Sequence, residues 1–202
     1  MKNPLEVFDL PTFIKTERLE LRFLHRGMVQ DINNALMASS DALKPRFEWM
    51  HPTPSLGDTT DYVTNMALEQ YHRLSFHVGI YIKGTNEFVG MVSLNKLDPA
   101  VPAFTMGYWC DTAQAGNGYM SEAVLKMAEF AMIDLKANRV ELSPDVTNVA
   151  SIAIAEKLVA NFGYEKLGEI KNCWRSPHNN RLCNCVRYVF TQNEELILFR
   201  ND

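Results

Sequence analysis

Long apolar runs are missing from this sequence of 202 residues. No stretch approaches the roughly 20 consecutive apolar residues that a membrane-spanning helix needs. The first ten residues include Glu6 and Asp9, where a signal peptide would be apolar. We therefore expect a cytoplasmic protein without membrane contact. Because 47% of the residues are hydrophobic and 22% are charged, as in ordinary globular proteins, residues 1–202 should form a single domain.

A surplus of positive charge is also missing, since 20 basic residues face 24 acidic ones. The resulting net charge of −4 argues against a protein that binds nucleic acid directly, because such proteins normally carry a basic surface. It is compatible with a cationic partner.

Cysteine is scarce, and its spacing is not that of common structural zinc sites. The four cysteines, at positions 110, 173, 183 and 185, include no Cys-x-x-Cys pair. His178 lies in the same stretch as the last three, so a zinc site is one alternative. Reduced, partly buried thiols fit a cytoplasmic protein better, and we expect no metal. Whether Cys173, His178, Cys183 and Cys185 share a role stays open.

Neither of the two best-known phosphate-binding signatures is present. No Lys-Ser or Lys-Thr follows the glycines at 116 and 118, and the third glycine of the dinucleotide fingerprint is absent. These glycines nevertheless lie between an aromatic-rich strand pattern and a helix that should begin near Gly118. The free N–H groups and the dipole of a helix start favour a phosphate, and glycines let the backbone approach it. A plain turn between strand and helix is the alternative.

Hydrophobic periodicity predicts the order strand, two helices, three strands, helix, strand, helix and two strands. The predicted strands are 16–24, 76–82, 88–94, 103–110, 139–142, 164–174 and 182–191. Helices are predicted at about 28–36, from a cap at Asp58 to about 74, from near 118 to about 137, and at 148–161, with a short helix or tail from Asn193. Because a helix separates strands 103–110 and 139–142, these two should be parallel.

Six short motifs in this order resemble the GNAT acetyltransferase superfamily, and within it the ribosomal-protein N-terminal (alanine/serine) acetyltransferases. The resemblance covers about residues 13–192. The motifs are Thr16-Glu-Arg-Leu-Glu-Leu-Arg22, Phe88-Val-Gly90, Met106-Gly-Tyr-Trp109, Gly116-Asn-Gly-Tyr-Met-Ser-Glu-Ala123, Asn148-x-x-Ser151 and Gly163-Tyr164. The resemblance implies an α/β (α+β) fold with a mixed, mostly antiparallel sheet of six to seven strands and flanking helices. Two central parallel strands splay apart in this fold, which would accommodate Pro144 just after Leu142.

The resemblance implies a binding site for acetyl-CoA as co-substrate. Its pyrophosphate would lie on the backbone of the loop formed by Ala115, Gly116, Asn117, Gly118, Tyr119 and Met120. The pantetheine arm would pair with the strand end formed by Trp109, Cys110 and Asp111, with Asn148 and Ser151 also near the cofactor. Ala115 and Met120 depart from the family pattern, which favours Arg or Gln and Gly or Ala there. A loop that works through main-chain N–H groups should tolerate both.

Two catalytic side chains of many relatives are absent, because Thr105 and Ala155 stand where a glutamate base and a tyrosine acid are common. Ser151 is the candidate proton donor to the leaving sulfur, with a structural hydroxyl as the alternative. Asp111 is a candidate distant base, or a solvated carboxylate. Asn148 could simply cap its helix, and His77 is a candidate base, with a surface or core histidine as the favoured alternative.

The acceptor pocket is predicted to include Trp49, Phe47, Thr105 and Tyr108. We expect acetyl transfer directly to an amine, with a protein N-terminal α-amine, such as that of a ribosomal protein, as the leading acceptor. An α-amine needs a base less than lysine does, since its pKa is about 7.7 to 8. A small-molecule amine is the alternative acceptor, and a non-catalytic acyl-CoA-binding module is the alternative class. Monomer and homodimer both remain open.

Overall fold

The computed structural model describes residues 10–98 and 101–191, and side chains within them except those of 96–98. Eight strands form one sheet in the order β1-β2-β3-β4-β5-β6-β8-β7. The strands are β1 Phe13–Lys15, β2 Leu19–Phe23, β3 Ser75–Ile82, β4 Phe88–Asp98, β5 Ala103–Cys110, β6 Arg139–Leu142, β7 Glu165–Arg175 and β8 Leu182–Thr191. The mixed fold class is confirmed. Its strand number is one higher than predicted, because β1 has only three residues and no periodicity to reveal it.

Five α-helices flank the sheet in the described ranges: α1 Val29–Ala38, α2 Ser40–Leu43, α3 Leu56–Tyr71, α4 Tyr119–Ile133 and α5 Val149–Phe162. Asp58 was the predicted cap of α3, and this is wrong. Ser55 is the N-cap and Asp58 is the third helical residue, and each side chain accepts a hydrogen bond from the other's backbone N–H. The predicted helix or tail from Asn193 lies outside the described residues.

Both faces of the central strands are buried. On β3, Phe76, Val78 and Ile80 belong to a core cluster shared with α4 and α5. Tyr81, the residue after Ile80, belongs to a second cluster, which α1 and α3 cover from the opposite face. The strand alternation therefore assigns each side chain to one of two layers of helices.

The two central parallel strands pair over only three residues each, Ala103–Thr105 with Arg139–Glu141. Beyond this point β5 continues to Cys110 beside β4 alone, while the chain after β6 turns away through Pro144. The Pro144 carbonyl accepts a hydrogen bond from Val186 N (3.0 Å), so the chain after β6 lies against β8 instead of β5. A gap opens beside residues 106–110, as expected at the proline.

The cysteines of the last hairpin do not follow the expectation of reduced thiols. Cys173 on β7 and Cys185 on β8 form a disulfide, whereas Cys110 and Cys183 are free. A register shift between Ile170 and Trp174 brings Cys173 opposite the Cys183–Cys185 segment, which residue spacing alone could not reveal. Within 10–98 and 101–191, no group of three His, Cys, Asp or Glu side chains could hold a metal ion. No helix there is long and apolar enough to span a membrane.

Candidate active site

The loop before α4 presents unpaired backbone donors at the start of a helix. Gly116 and Gly118 have φ angles of +83° and +77°, a conformation that glycine adopts without the steric cost of a side chain. Gly118 is the N-cap of α4. The N–H groups of residues 116 to 121 donate no hydrogen bond to the described part of the chain. They converge with the positive end of the α4 dipole, which is the arrangement that binds phosphate.

A cluster from the β1–β2 turn fixes this loop in place. Arg18 donates from Nε to Glu122 Oε2 (2.7 Å) and from Nη1 to the Asn117 carbonyl (3.1 Å), and its guanidinium lies 4.7 Å from the centre of the Tyr119 ring. Glu122 also accepts from Thr16 Oγ1 and Arg18 N. Partial burial alone would raise the pKa of Glu122, but these hydrogen bonds hold the pKa below its ordinary value. The loop is therefore anchored through a carboxylate that stays charged at neutral pH.

A cavity of about 320 Å³ occupies the gap between β5 and the chain after β6. We call it the strand-gap cavity, and Tyr108, Pro144, Asn148 and Ser151 are among its lining residues. Asn148 caps α5 by accepting a hydrogen bond from Ser151 N at Oδ1 (3.2 Å). The cap does not use the Ser151 hydroxyl, which has no hydrogen-bond partner within residues 10–98 and 101–191. That hydroxyl is free to act on a ligand in the cavity.

Tyr108 connects the strand to α5 inside this gap. Its hydroxyl donates to the Ser151 carbonyl (3.2 Å). Burial raises the pKa of Tyr108 to about 12, although the hydrogen bond to Ser151 lowers it in part. Tyr108 therefore carries its proton throughout the neutral range and can donate it, but cannot serve as a base.

A larger cavity of about 510 Å³ lies between the sheet and the helices α1 and α3. We call it the helix-side cavity. Phe47 and Trp49 cover it from the loop before α3, with their ring centroids 5.0 Å apart. Phe47, Gly107 and Tyr108 line both cavities. The two cavities thus meet at residues 107–108, so ligands in them would come together there.

Comparisons with known proteins agree with this architecture. Residues 18–160 match the acetyltransferase (GNAT) domain family. The chain belongs to this family. It is 27% identical over 161 residues to the uncharacterized N-acetyltransferase p20 of Bacillus licheniformis, covering 78% of this chain and 84% of that protein. It is 24% identical over 109 residues to the ribosomal-protein-serine acetyltransferase of Escherichia coli, covering 54% and 60% respectively.

The solved structure of RimL, a ribosomal L7/L12 alpha-N-protein acetyltransferase in complex with coenzyme A, has a similar fold. The TM-score is 0.80 at 22% identity, over 89% of this chain and 97% of that one. This GNAT protein is accordingly a transferase of the N-acetyltransferase class, with the sheet and helices of its structural neighbours.

Six of the predicted site residues line the two cavities, whereas Thr105, Cys110, Asp111 and the loop residues 115–120 line neither. Phe47, Trp49, Tyr108 and Trp109 line the helix-side cavity, and Asn148 and Ser151 line the strand-gap cavity. Thr105 lines neither, because it lies where β5 is still paired with both neighbouring strands.

Asp111 also lies away from both cavities. Its Oδ1 accepts from Ala113 N (3.0 Å) and Ser39 Oγ (3.2 Å), so it caps the turn 112–114. Cys110 precedes it at the end of β5, where burial first and the Asp111 charge second raise the pKa of its thiol to about 11.

A buried His-Tyr pair in the helix-side cavity was not among the predicted site residues. Tyr62 Oη lies 3.1 Å from His77 Nδ1, and both residues line the cavity. Burial lowers the pKa of His77 to about 4, against a smaller opposing effect of Glu69, so the imidazole is neutral at pH 7. Alternation along β3 places His77 opposite Phe76 and Val78. That pattern could have assigned His77 to a face of the sheet, but it could not have identified α3, which carries Tyr62, as the helix that covers this face.

Proposed function

We propose that this GNAT protein is a cytoplasmic, acetyl-CoA-dependent enzyme that acetylates the N-terminal α-amine of a protein, such as a ribosomal protein. The observation that carries the proposal is the meeting of the two cavities at residues 107–108. One cavity would receive the acyl donor and the other the amine. The sequence similarity to a ribosomal-protein-serine acetyltransferase supports this class of acceptor.

The residues of the loop fit an acetyl-CoA site. Six consecutive N–H groups without partners in the described chain, two glycines at positive φ and the start of α4 offer what a pyrophosphate requires. The open edge of β5 beyond Thr105 offers unpaired backbone groups to an extended pantetheine arm. Residues 115–120, the strand end 109–111, Asn148 and Ser151 would therefore hold the co-substrate, and no metal is required.

Acetyl-CoA supplies an activated thioester: as the new C–N bond forms, the C–S bond breaks and coenzyme A leaves. The chain's part is to deliver a proton to the departing sulfur while the amine loses one to solvent. Ser151 lines the strand-gap cavity with an unengaged hydroxyl, which suits it to that donation. Tyr108 orients Ser151 by its hydrogen bond to the Ser151 carbonyl.

No strong base faces the acceptor side among the described lining residues. His77 is neutral and has a pKa of about 4, and Asp58 already accepts hydrogen bonds from Ser55. An amine with a pKa near 8 is partly neutral at pH 7, whereas lysine at about 10.4 is almost fully protonated. This difference favours an α-amine as acceptor.

Turnover of a matched set of acceptors, followed by release of free coenzyme A thiol, tests the proposal. Peptides with a free N-terminus should be acetylated, whereas the same peptides with a blocked N-terminus and an internal lysine should not. A small panel of polyamines and amino acids tests the alternative of a small-molecule acceptor. If coenzyme A binds and no acceptor turns over, the protein is a binding module.

We expect kcat/KM for a peptide acceptor to rise with pH through about 7 to 8, because the neutral fraction of the α-amine increases there. His77 cannot produce this rise, since its pKa of about 4 leaves it neutral over the whole range. A peptide whose α-amine has a lower pKa should shift the inflection downward by the same amount. A flat profile, or an inflection that ignores the acceptor's pKa, would instead identify an enzymic base.

A further inference from the structure

One part of the helix-side cavity wall is formed by apolar side chains that are already fixed in the second core cluster. Ile32 and Leu36 of α1, Met91 of β4 and Trp109 of β5 are each at least 91% buried there. Trp49 is 47% exposed and lies over the cavity from the loop before α3. The cavity is therefore a preformed apolar chamber with an aromatic edge at the surface.

Most polar side chains of this wall already have hydrogen-bond partners within the protein, whereas His77 Nε2 is buried without a partner among the described residues. Thr59 Oγ1 donates to the Ser55 carbonyl (3.0 Å), and Ser93 Oγ donates to the Gly107 carbonyl (3.4 Å). Asn95 donates to Ser93 Oγ (3.1 Å), while the hydroxyl of Tyr62 lies against His77. Apart from His77 Nε2, these groups gain little from a polar occupant, so the chamber offers burial more than hydrogen bonding.

Tyr62 and His77, two titratable groups of the chamber, are uncharged at neutral pH. Burial raises the pKa of Tyr62, so the phenol stays protonated, and His77 is neutral. Asp58 is the one carboxylate among the described lining residues. It is exposed, and hydrogen bonds from Ser55 lower its pKa and occupy Oδ2. A charged side chain buried in the chamber would lose hydration, and the exposed Asp58 is the one described lining residue whose charge could offset a positive one.

Resting on the proposed function, we infer that the acceptor's first residue carries a bulky apolar side chain, such as that of leucine or phenylalanine, which enters the helix-side cavity. With that side chain in the chamber, the α-amine attached to the same Cα would lie at residues 107–108. In a cavity of about 510 Å³, the methyl of alanine or the hydroxymethyl of serine would bury less apolar surface against the wall than these larger side chains.

Peptides that differ only in the first residue test this inference on the full-length protein. Leucine and phenylalanine should give kcat/KM values about 10- to 50-fold above alanine, because each additional buried methylene contributes about 0.8 kcal/mol. Equal or better turnover of the alanine or serine peptides, or a preference for lysine, would overturn the inference and leave the proposed function standing. Absence of turnover with every peptide would overturn both.

A variant of the chamber wall gives an independent readout. Leu36→Phe should reduce the ratio of leucine-peptide to alanine-peptide kcat/KM at least fivefold, since the larger ring occupies space that the acceptor uses. Met37→Phe is the matched control, because Met37 is the next residue of α1 and is 57% exposed. It should keep the wild-type ratio. An unchanged ratio in folded Leu36→Phe would contradict the inference, and thermal melting establishes that both variants fold.

Discussion

Replacing Gly118 with valine should weaken coenzyme A binding by about tenfold to a hundredfold in a protein that still folds. Gly118 has φ +77° at the N-cap of α4, and a β-branched residue costs about 1 to 3 kcal/mol there. Relief of that strain would rotate the neighbouring peptide units, whose N–H groups are the proposed phosphate donors. A Cβ at Gly118 would also lie 3.5 Å from Arg18 Nη2, within the cluster that anchors the loop. Titration calorimetry with coenzyme A measures the loss.

Gly84→Val is the matched control for this substitution. Gly84 has nearly the same φ, +84°, in the turn between β3 and β4, and an added Cβ would meet nothing within 4 Å. It should lose comparable stability while coenzyme A affinity stays at the wild-type value. Unchanged affinity in Gly118→Val would show that the pyrophosphate binds elsewhere.

Ser151→Ala should lower kcat about 100-fold and change coenzyme A affinity less than threefold. A hydroxyl that donates a proton to the sulfur matters most as negative charge develops there in the transition state. Stability should change little, because the cap of α5 uses the backbone N–H of residue 151, which alanine retains. Steady-state kinetics combined with calorimetry separates the two effects.

Two further variants sharpen the assignment of Ser151. Ser40→Ala removes another partly buried helix hydroxyl, one that contacts Thr53 outside both cavities, and should leave kcat unchanged. Tyr108→Phe removes the hydrogen bond to the Ser151 carbonyl and should cost less than Ser151→Ala if Tyr108 only orients the serine. A larger loss in Tyr108→Phe would make Tyr108 the donor. Equal losses of affinity and rate in Ser151→Ala would assign Ser151 to ground-state binding.

Periodicity along the chain predicted seven of the eight strands, because alternation is a local property, and the helix between strands 103–110 and 139–142 predicted their parallel pairing. Local pattern also predicted the helix start at Gly118 and left Asn148, the N-cap of α5, open between a cap and a role near the cofactor. It failed at Ser55, where a serine three residues before Asp58 competes for the cap and the reciprocal hydrogen bonds decide between them. It also failed at β1, because this strand has only three residues and is defined by its pairing with β2.

The features that the sequence did not predict depend on contacts between distant segments. Tyr62 and His77 meet only because α3 packs on β3, and Thr105 and Asp111 lie outside the cavities because of pairing and capping partners elsewhere in the chain. The Cys173–Cys185 pair likewise required the bulge in β7. None of these contacts is visible in the hydrophobic periodicity of either segment alone.

The anchoring of the phosphate loop by Arg18 and Glu122 has a consequence for folding. These residues are 104 positions apart, so their ion pair closes a long segment of chain, and forming it costs more entropy than forming the local turn of α4. A chain with α4 wound but the β1–β2 turn undocked would thus have its helix and its glycines, yet bind coenzyme A poorly. Affinity for the co-substrate would then report the completion of the fold.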